Sequence, residues 1–229
     1  MKQTEQIHLR LMLALTFSTG VVDAVGYLGM GRVFTGNMTG NVVILGMALT
    51  GADGLSVVGP ALALLGFLAG AALGGRVLRR AGTAWTGHTT VLFGSVAAAV
   101  LGVAAMVQIS HSHPAMVTGT TLVATAMGVQ AATARFIAVK DVTTVVVTST
   151  LTGLAADSVL GNGQATHGWR RALAVTLLLL GAAVGAVVLQ FSLSAGLAIA
   201  GGVVTVVTLI GARHPHARPA RVAAVGAAA

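Results

Sequence analysis

Asp23 is one of five acidic residues in a chain of 229, and it stands inside an apolar run that extends from Leu11 to Gly31. A carboxyl group at that depth of a bilayer costs at least about 2.5 kcal/mol unless it is neutral, paired or wetted. Two readings follow. Asp23 takes up a proton or cation on a transport path, or it is the structural partner of polar groups nearby, such as Asn37 or Asn41, or lies close enough to the outer surface to be hydrated. Gln130 holds a similar place in the second half of the chain and is its neutral counterpart, one residue out of strict register.

Two polar runs share this setting. Phe34-Thr35-Gly36-Asn37-Met38-Thr39-Gly40-Asn41 and Thr143-Thr144-Val145-Val146-Val147-Thr148-Ser149-Thr150 each open a short apolar segment. Thr39-Gly40-Asn41 and Thr148-Ser149-Thr150 fall where those segments turn into short helices. Free backbone donors at a helix start favour anions or the negative ends of dipoles, and Thr and Asn side chains can replace water around a solute. Thr39 and Thr148 also suit helix capping, which is compatible with lining a path. The candidates for a substrate or ion path are therefore Asp23, Asn37, Thr39, Gly40, Asn41, Gln130, Thr148 and Thr150.

Other chemistry is poorly supplied. The absence of cysteine removes thiolate sites and disulfides. His111 and His113, and likewise His214 and His216, have no third ligand nearby in sequence, so no metal centre is expected. A lone intramembrane Asp offers no acid and base pair, and no Ser-x-x-Lys, His-Glu-x-x-His or Gly-x-Ser-x-Gly pattern occurs, so neither an enzyme nor a cofactor is expected. Gly26 to Gly31 is glycine-rich but follows no strand and is not a nucleotide loop. Arg135 lies near the end of an apolar run, where it can snorkel to the headgroups.

The elements that position these residues are set by the solvent. Hydrophobic residues make up 55% of the chain and charged residues 8%, with a mean hydropathy of +0.91, so the bilayer must be that solvent. Thirteen basic residues against five acidic ones then read as topology signals rather than as a nucleic-acid surface. Eight apolar segments can be marked: Leu11–Gly31, Asn37–Gly51, Val57–Leu78, Thr90–Ile109, Met116–Ile137, Val142–Ala156, Ala172–Phe191 and Ala195–Ala212. The first is too long for a cleaved signal peptide and lacks its small-residue cleavage pattern.

Asn37–Gly51 and Val142–Ala156 have 15 residues each, about 22 Å of helix against a hydrocarbon core of about 30 Å. The charge rule tests whether they cross. If all eight segments cross, the basic residues divide seven to six between the two sides. If the two short segments return to the face they entered, twelve of the thirteen fall on one side, and only Arg32 lies on the other. The expected fold is thus an all-α polytopic membrane protein of six full transmembrane helices plus two short re-entrant or interrupted segments. It forms a single transmembrane domain over residues 1–229, with both termini cytoplasmic and a disordered tail over 214–229.

The halves of the chain resemble each other. Gly20 matches Gly128, Thr39 matches Thr148, and Gly70-Ala71-Ala72-Leu73-Gly74 matches Gly181-Ala182-Ala183-Val184-Gly185, at offsets of 108, 109 and 111 residues. Three spans per half make this a 3+3 inverted repeat, about 10–110 and 115–213, an arrangement shared by many transporters and channels. Gly66, Gly70 and Gly74 in one span, and Gly181 and Gly185 in its counterpart, give small-residue faces for helix packing. These two helices are expected to meet near the pseudo-twofold axis or to form a homodimer contact.

Phe17, Gly20, Asp23-Ala24, Tyr27-Leu28, Val33-Phe34, Asn37-Met38-Thr39-Gly40-Asn41, Met127-Gly128-Val129-Gln130, Arg135 and Thr148 together resemble the YoaK-like family of bacterial membrane proteins, domain of unknown function 1275. The likeness covers nearly the whole chain, and the Asn-Met-Thr-Gly-Asn motif is its most specific part. The family's second motif often reads Thr-Gly-Thr, where this chain has Thr148-Ser149-Thr150. The resemblance implies a multi-span protein of the bacterial inner membrane without an established activity. The expected function is a transporter or channel for a small solute or ion, coupled to protons or cations through Asp23. The alternative is a non-transporting scaffold or regulator.

Overall fold

The computed structural model describes residues 2–79, 81, 85–137, 147–158, 161–163 and 168–214. Among them are eight α-helices, one 3-10 turn and no strand: α1 (Lys2–Gly29), α2 (Met38–Leu49), the turn Ala52–Gly54, α3 (Val58–Leu78), α4 (Gly87–Ile109), α5 (His113–Ile137), α6 (Val147–Ala156), α7 (Gly168–Leu189) and α8 (Leu193–Arg213). Six are apolar over at least 21 residues, about 32 Å of helix and enough to cross a bilayer. α2 and α6, with 12 and 10 residues, fall short of that length.

Element starts follow local chemistry. α1 begins well before the apolar run, because the polar stretch from Lys2 to Arg10 continues the same helix beyond the bilayer. Pro114 in the first turn of α5 has its φ already fixed for a helix. The Thr89 hydroxyl turns back on Thr86 at the start of α4, accepting from its N–H at 2.8 Å and donating to its carbonyl at 2.7 Å. Val142–Val146, expected to open the second short segment, lie outside the described residues, as does most of the tail expected to be disordered.

Contacts between helices fix their directions. Gly181 packs on Phe17, Gly185 on Val21 and Gly29 on Leu189, so α1 and α7 run parallel. Gly66 packs on Thr121, Gly70 on Thr125 and Gly74 on Val129, so α3 and α5 also run parallel. α1 and α5 run oppositely, because Thr19 meets Gln130 while Met30 meets Thr120. α8 is antiparallel to α1, through Ser18 with Ala200 and His8 with His214. If every helix crossed in turn, α1, α3, α5 and α7 would all point the same way. The opposition of α1 and α5 therefore requires that α2 does not cross, and the opposition of α5 and α7 requires the same of α6.

These directions place the N-termini of α1 and α7 on one face with the C-termini of α3, α5 and α8. Seven of the eight described arginines lie at that face, and Arg32 at the other.

The glycine faces are used otherwise than expected. α3 and α7 do not touch among the described residues. A Cβ on Gly70 would run into the Thr125 carbonyl of α5, and one on Gly181 into the Phe17 carbonyl of α1. The partner helix answers in each pair: Gly128 of α5 lies against the Phe67 carbonyl, and Gly20 of α1 against the Leu178 carbonyl. Small residues on both helices let the backbones approach, and dispersion over that close contact holds them together. The faces of Gly70, Gly74, Gly181 and Gly185 are thus filled within the chain and are not left for a second copy.

Candidate functional site

α1 ends at Gly29, and Gly31 (φ 91) and Arg32 (φ 58) reverse the chain. Residues 33–37 then descend beside α1 until their amides reach Asp23. The Asp23 Oδ1 oxygen accepts from the backbone N–H of Thr35 at 2.9 Å, Gly36 at 2.6 Å and Asn37 at 3.3 Å, and from the Thr35 hydroxyl at 3.4 Å. A carboxylate matches these converging donors, and the start of α2 adds the positive end of its dipole. Asp23 Oδ2 has no hydrogen-bond partner among the described residues, and the side chain is half-buried.

The turn is tied to α2 by two asparagines. Asn37 is the N-cap, its side chain accepting from Gly40 N at 3.1 Å. Asn41 is fully buried and closes on Phe34, accepting from its N–H at 2.9 Å and donating to its carbonyl at 2.6 Å. Both backbone groups of Phe34 are thereby satisfied at membrane depth, where water is scarce. Gly40 admits the Phe34 ring, which stacks on Tyr27 at a centroid distance of 4.7 Å. α2 then returns to the face the chain came from, where Asp53 pairs with Arg32 at 3.0 Å. That exposed pair marks where the segment comes back and adds little stability.

Gly36 presses the turn against both α1 and α5, since a Cβ there would meet Thr19, Met127 and Asp23. Thr19 lies one turn before Asp23 and accepts a hydrogen bond from Gln130 Nε2 at 3.3 Å. Gln130 is buried, and its Oε1 has no partner among the described residues. The fold thus brings Asp23, Gly36, Asn37, Thr19 and Gln130 to the seam between α1 and α5, with acceptor oxygens left unfilled on Asp23 and Gln130.

Thr39 is not the cap. It lies inside the first turn and is exposed, because the side-chain oxygen of Asn37 already reaches the Gly40 amide. Thr148 and Thr150 fall in the first turn of α6, which packs on α7. The segment corresponding to the Thr35–Asn37 turn lies outside the described residues. Beyond α6, Arg171 donates to Asp157 at 2.6 Å and Asn162 donates to it at 3.3 Å. These two bonds, the Arg171 one foremost, hold the Asp157 carboxyl below the usual carboxylate range.

Sequence reasoning missed Thr19, Thr35 and Gly36. The spacing of Thr19 and Asp23, four apart on one helix face, was the available signal for the first. The other two act through backbone amides, which leave no mark on residue type.

The profile of the family described as "Protein of unknown function (DUF1275)" matches residues 11–210, reaching from α1 into α8. The chain belongs to the DUF1275 family. This DUF1275 protein is 31% identical over 148 residues to the UPF0700 transmembrane protein YoaK of Bacillus subtilis (strain 168), a match covering 64% of this chain. It spans 65% of the length of that relative. No solved structure matches the DUF1275 chain. The relative's description as a transmembrane protein agrees with the six long apolar helices, and the DUF1275 protein is a multi-pass membrane protein.

Proposed function

We propose that this DUF1275 protein carries a small solute or ion across the bacterial cytoplasmic membrane, with Asp23 as its proton- or cation-binding group and no catalytic role. One observation carries the reading: a half-buried intramembrane carboxylate gives one oxygen to the re-entrant turn and leaves the other without a partner. Ionisable groups are costly at this depth, and their usual place is on a substrate or proton path. The re-entrant start of α2 puts non-helical backbone at the same level, which membranes tolerate only beside protein or a water-filled cavity. Asn37 and Thr39 are exposed beside it and add polar groups at that level.

Two further features support it. The packing of α1 on α7 is echoed by that of α5 on α3, with Gly20 and Gly128 in matching places, as expected of inverted repeats built around a central site. The arginine-rich face supports, by the positive-inside rule, an orientation with both termini inside and Arg32 outside.

The test is uptake into proteoliposomes across a panel of small solutes and cations, with wild type and Asp23→Asn reconstituted at matched amounts. Asparagine keeps an oxygen for the Gly36 amide and removes the charge. Uptake by the wild type that falls at least tenfold in the variant is the expected result. Uptake unaffected by the substitution would remove Asp23 from the path.

A second reading is a non-transporting scaffold or regulator in which another copy or partner covers the exposed polar edge of α2. The exposure of Asn37 and Thr39 at membrane depth is the observation in its favour. It predicts a stable oligomer whose dissociation follows Asn37→Leu, with no uptake by any variant.

A further inference from the structure

The arginine-rich face contains a feature that the proposed path does not use. α1 and α7 touch closely where Gly181 meets Phe17, and nearer their N-termini a groove of about 320 Å³ opens between them. Its apolar side is Leu9 and Leu13 of α1 with Leu173 of α7, and its polar rim is Arg10, Trp169 and Arg170.

The charges of the rim are uncompensated. Arg171 is committed to Asp157, but neither Arg10 nor Arg170 has an ion-pair partner among the described residues. Arg170 rests over the Trp169 ring at 5.6 Å, and its Nε–H is buried without an acceptor. Arg10 is exposed at the same rim and Arg170 half-buried, so two guanidinium groups border the groove and favour an anion there. Among the described residues no acidic side chain lines the groove.

The position selects the source of that acceptor. Trp169 is exposed at the start of a membrane helix, where aromatic residues mark the headgroup level. Below it Leu173 is exposed while Leu9 and Leu13 are buried and close the groove's floor, so a phosphate carried on a lipid meets the rim while its chain covers Leu173. A soluble anion would gain nothing from the apolar half.

We propose that this groove binds one anionic phospholipid, its phosphate held by Arg10 and Arg170 and the start of an acyl chain laid on Leu173 above the floor formed by Leu9 and Leu13. The pairing would fasten the N-terminal ends of α1 and α7 at the membrane surface. It does not depend on whether the protein transports anything.

Tryptophan fluorescence reads the site directly. The chain has two tryptophans, and Trp85 is 1% exposed, so quenching from the lipid phase reports on Trp169. The full-length protein is reconstituted in phosphatidylcholine vesicles containing a minor fraction of acyl-brominated lipid, either phosphatidylglycerol or phosphatidylcholine. A basic side chain at the surface favours anionic lipid by roughly fivefold. The wild type should therefore prefer brominated phosphatidylglycerol by at least about fivefold. The Arg10→Gln/Arg170→Gln pair should bring the preference close to parity, and Arg10→Lys/Arg170→Lys should keep most of it.

Equal quenching by the two lipids in the wild type, which needs no variant to fold, overturns the proposal. So does a preference that survives in the glutamine pair. Inorganic phosphate at constant ionic strength should leave the preference intact, and its loss would assign the groove to a soluble anion instead.

Discussion

The Gly36 amide donates to Asp23 Oδ1 at 2.6 Å, the shortest of four hydrogen bonds that converge on one carboxylate oxygen. Asp23 therefore has two separable duties, holding the re-entrant turn with Oδ1 and presenting Oδ2. Asp23→Ala leaves those donors unmet, at about 1–3 kcal/mol for each buried one. Asp23→Asn keeps the acceptor. Thermal unfolding in detergent should show the alanine variant melting well below the wild type and the asparagine variant close to it. Equal losses in the two variants would mean that the charge, and not the acceptor, holds the turn.

Asn41 meets both the N–H and the carbonyl of Phe34. Asn41→Ala should cost about 1–3 kcal/mol per orphaned group. Asn41→Asp should do no better, because a carboxylate sets an oxygen against the Phe34 carbonyl where the amide donated. The same melts check this, and an unchanged Asn41→Ala midpoint would show that water reaches the turn.

The glycine contacts are graded by what a side chain would meet. Gly70→Ala, Gly128→Ala and Gly181→Ala each drive a methyl into the backbone of a neighbouring helix, which has no rotamer to yield. Overpacking of this kind costs about 1–3 kcal/mol. Gly75→Ala points into open space and should be neutral or slightly stabilising. A set of melts in which Gly75→Ala is as harmful as Gly70→Ala would contradict the packing described.

The return of α2 to its own face predicts the labelling of single cysteines in this cysteine-free chain. Arg32→Cys and Asp53→Cys should react with an impermeant thiol reagent from the outside, and Arg79→Cys from the inside. Breaking the exposed Arg32–Asp53 pair costs little, so these variants remain informative. Labelling of positions 32 and 53 from opposite sides would mean that α2 crosses.

The six spans were legible because the length of an apolar run is set by bilayer thickness, a constraint that acts on sequence directly. The failure of α2 and α6 to cross was legible from length and from the single arginine left on the opposite face. Matching small-residue motifs were legible too, but not their partners. The stripe of Gly66, Gly70 and Gly74 specifies a close-packed face, and the choice of α5 over α7 depends on where loops and re-entrant turns let each helix stand. Thr39 suits capping by residue type, but Asn37 holds that role because its short side chain reaches the amide three residues on.

Sequence alone determined that this chain lives in a membrane, how many times it crosses, and that Asp23 must find a remedy for its charge at depth. Only the tertiary structure decided what the remedy is. Asp23 is met by the amides of residues 35, 36 and 37, more than ten positions away. Every residue but proline carries such a donor, so no residue type announces it. The fold turns ordinary backbone into a specific partner by folding the chain back to that depth.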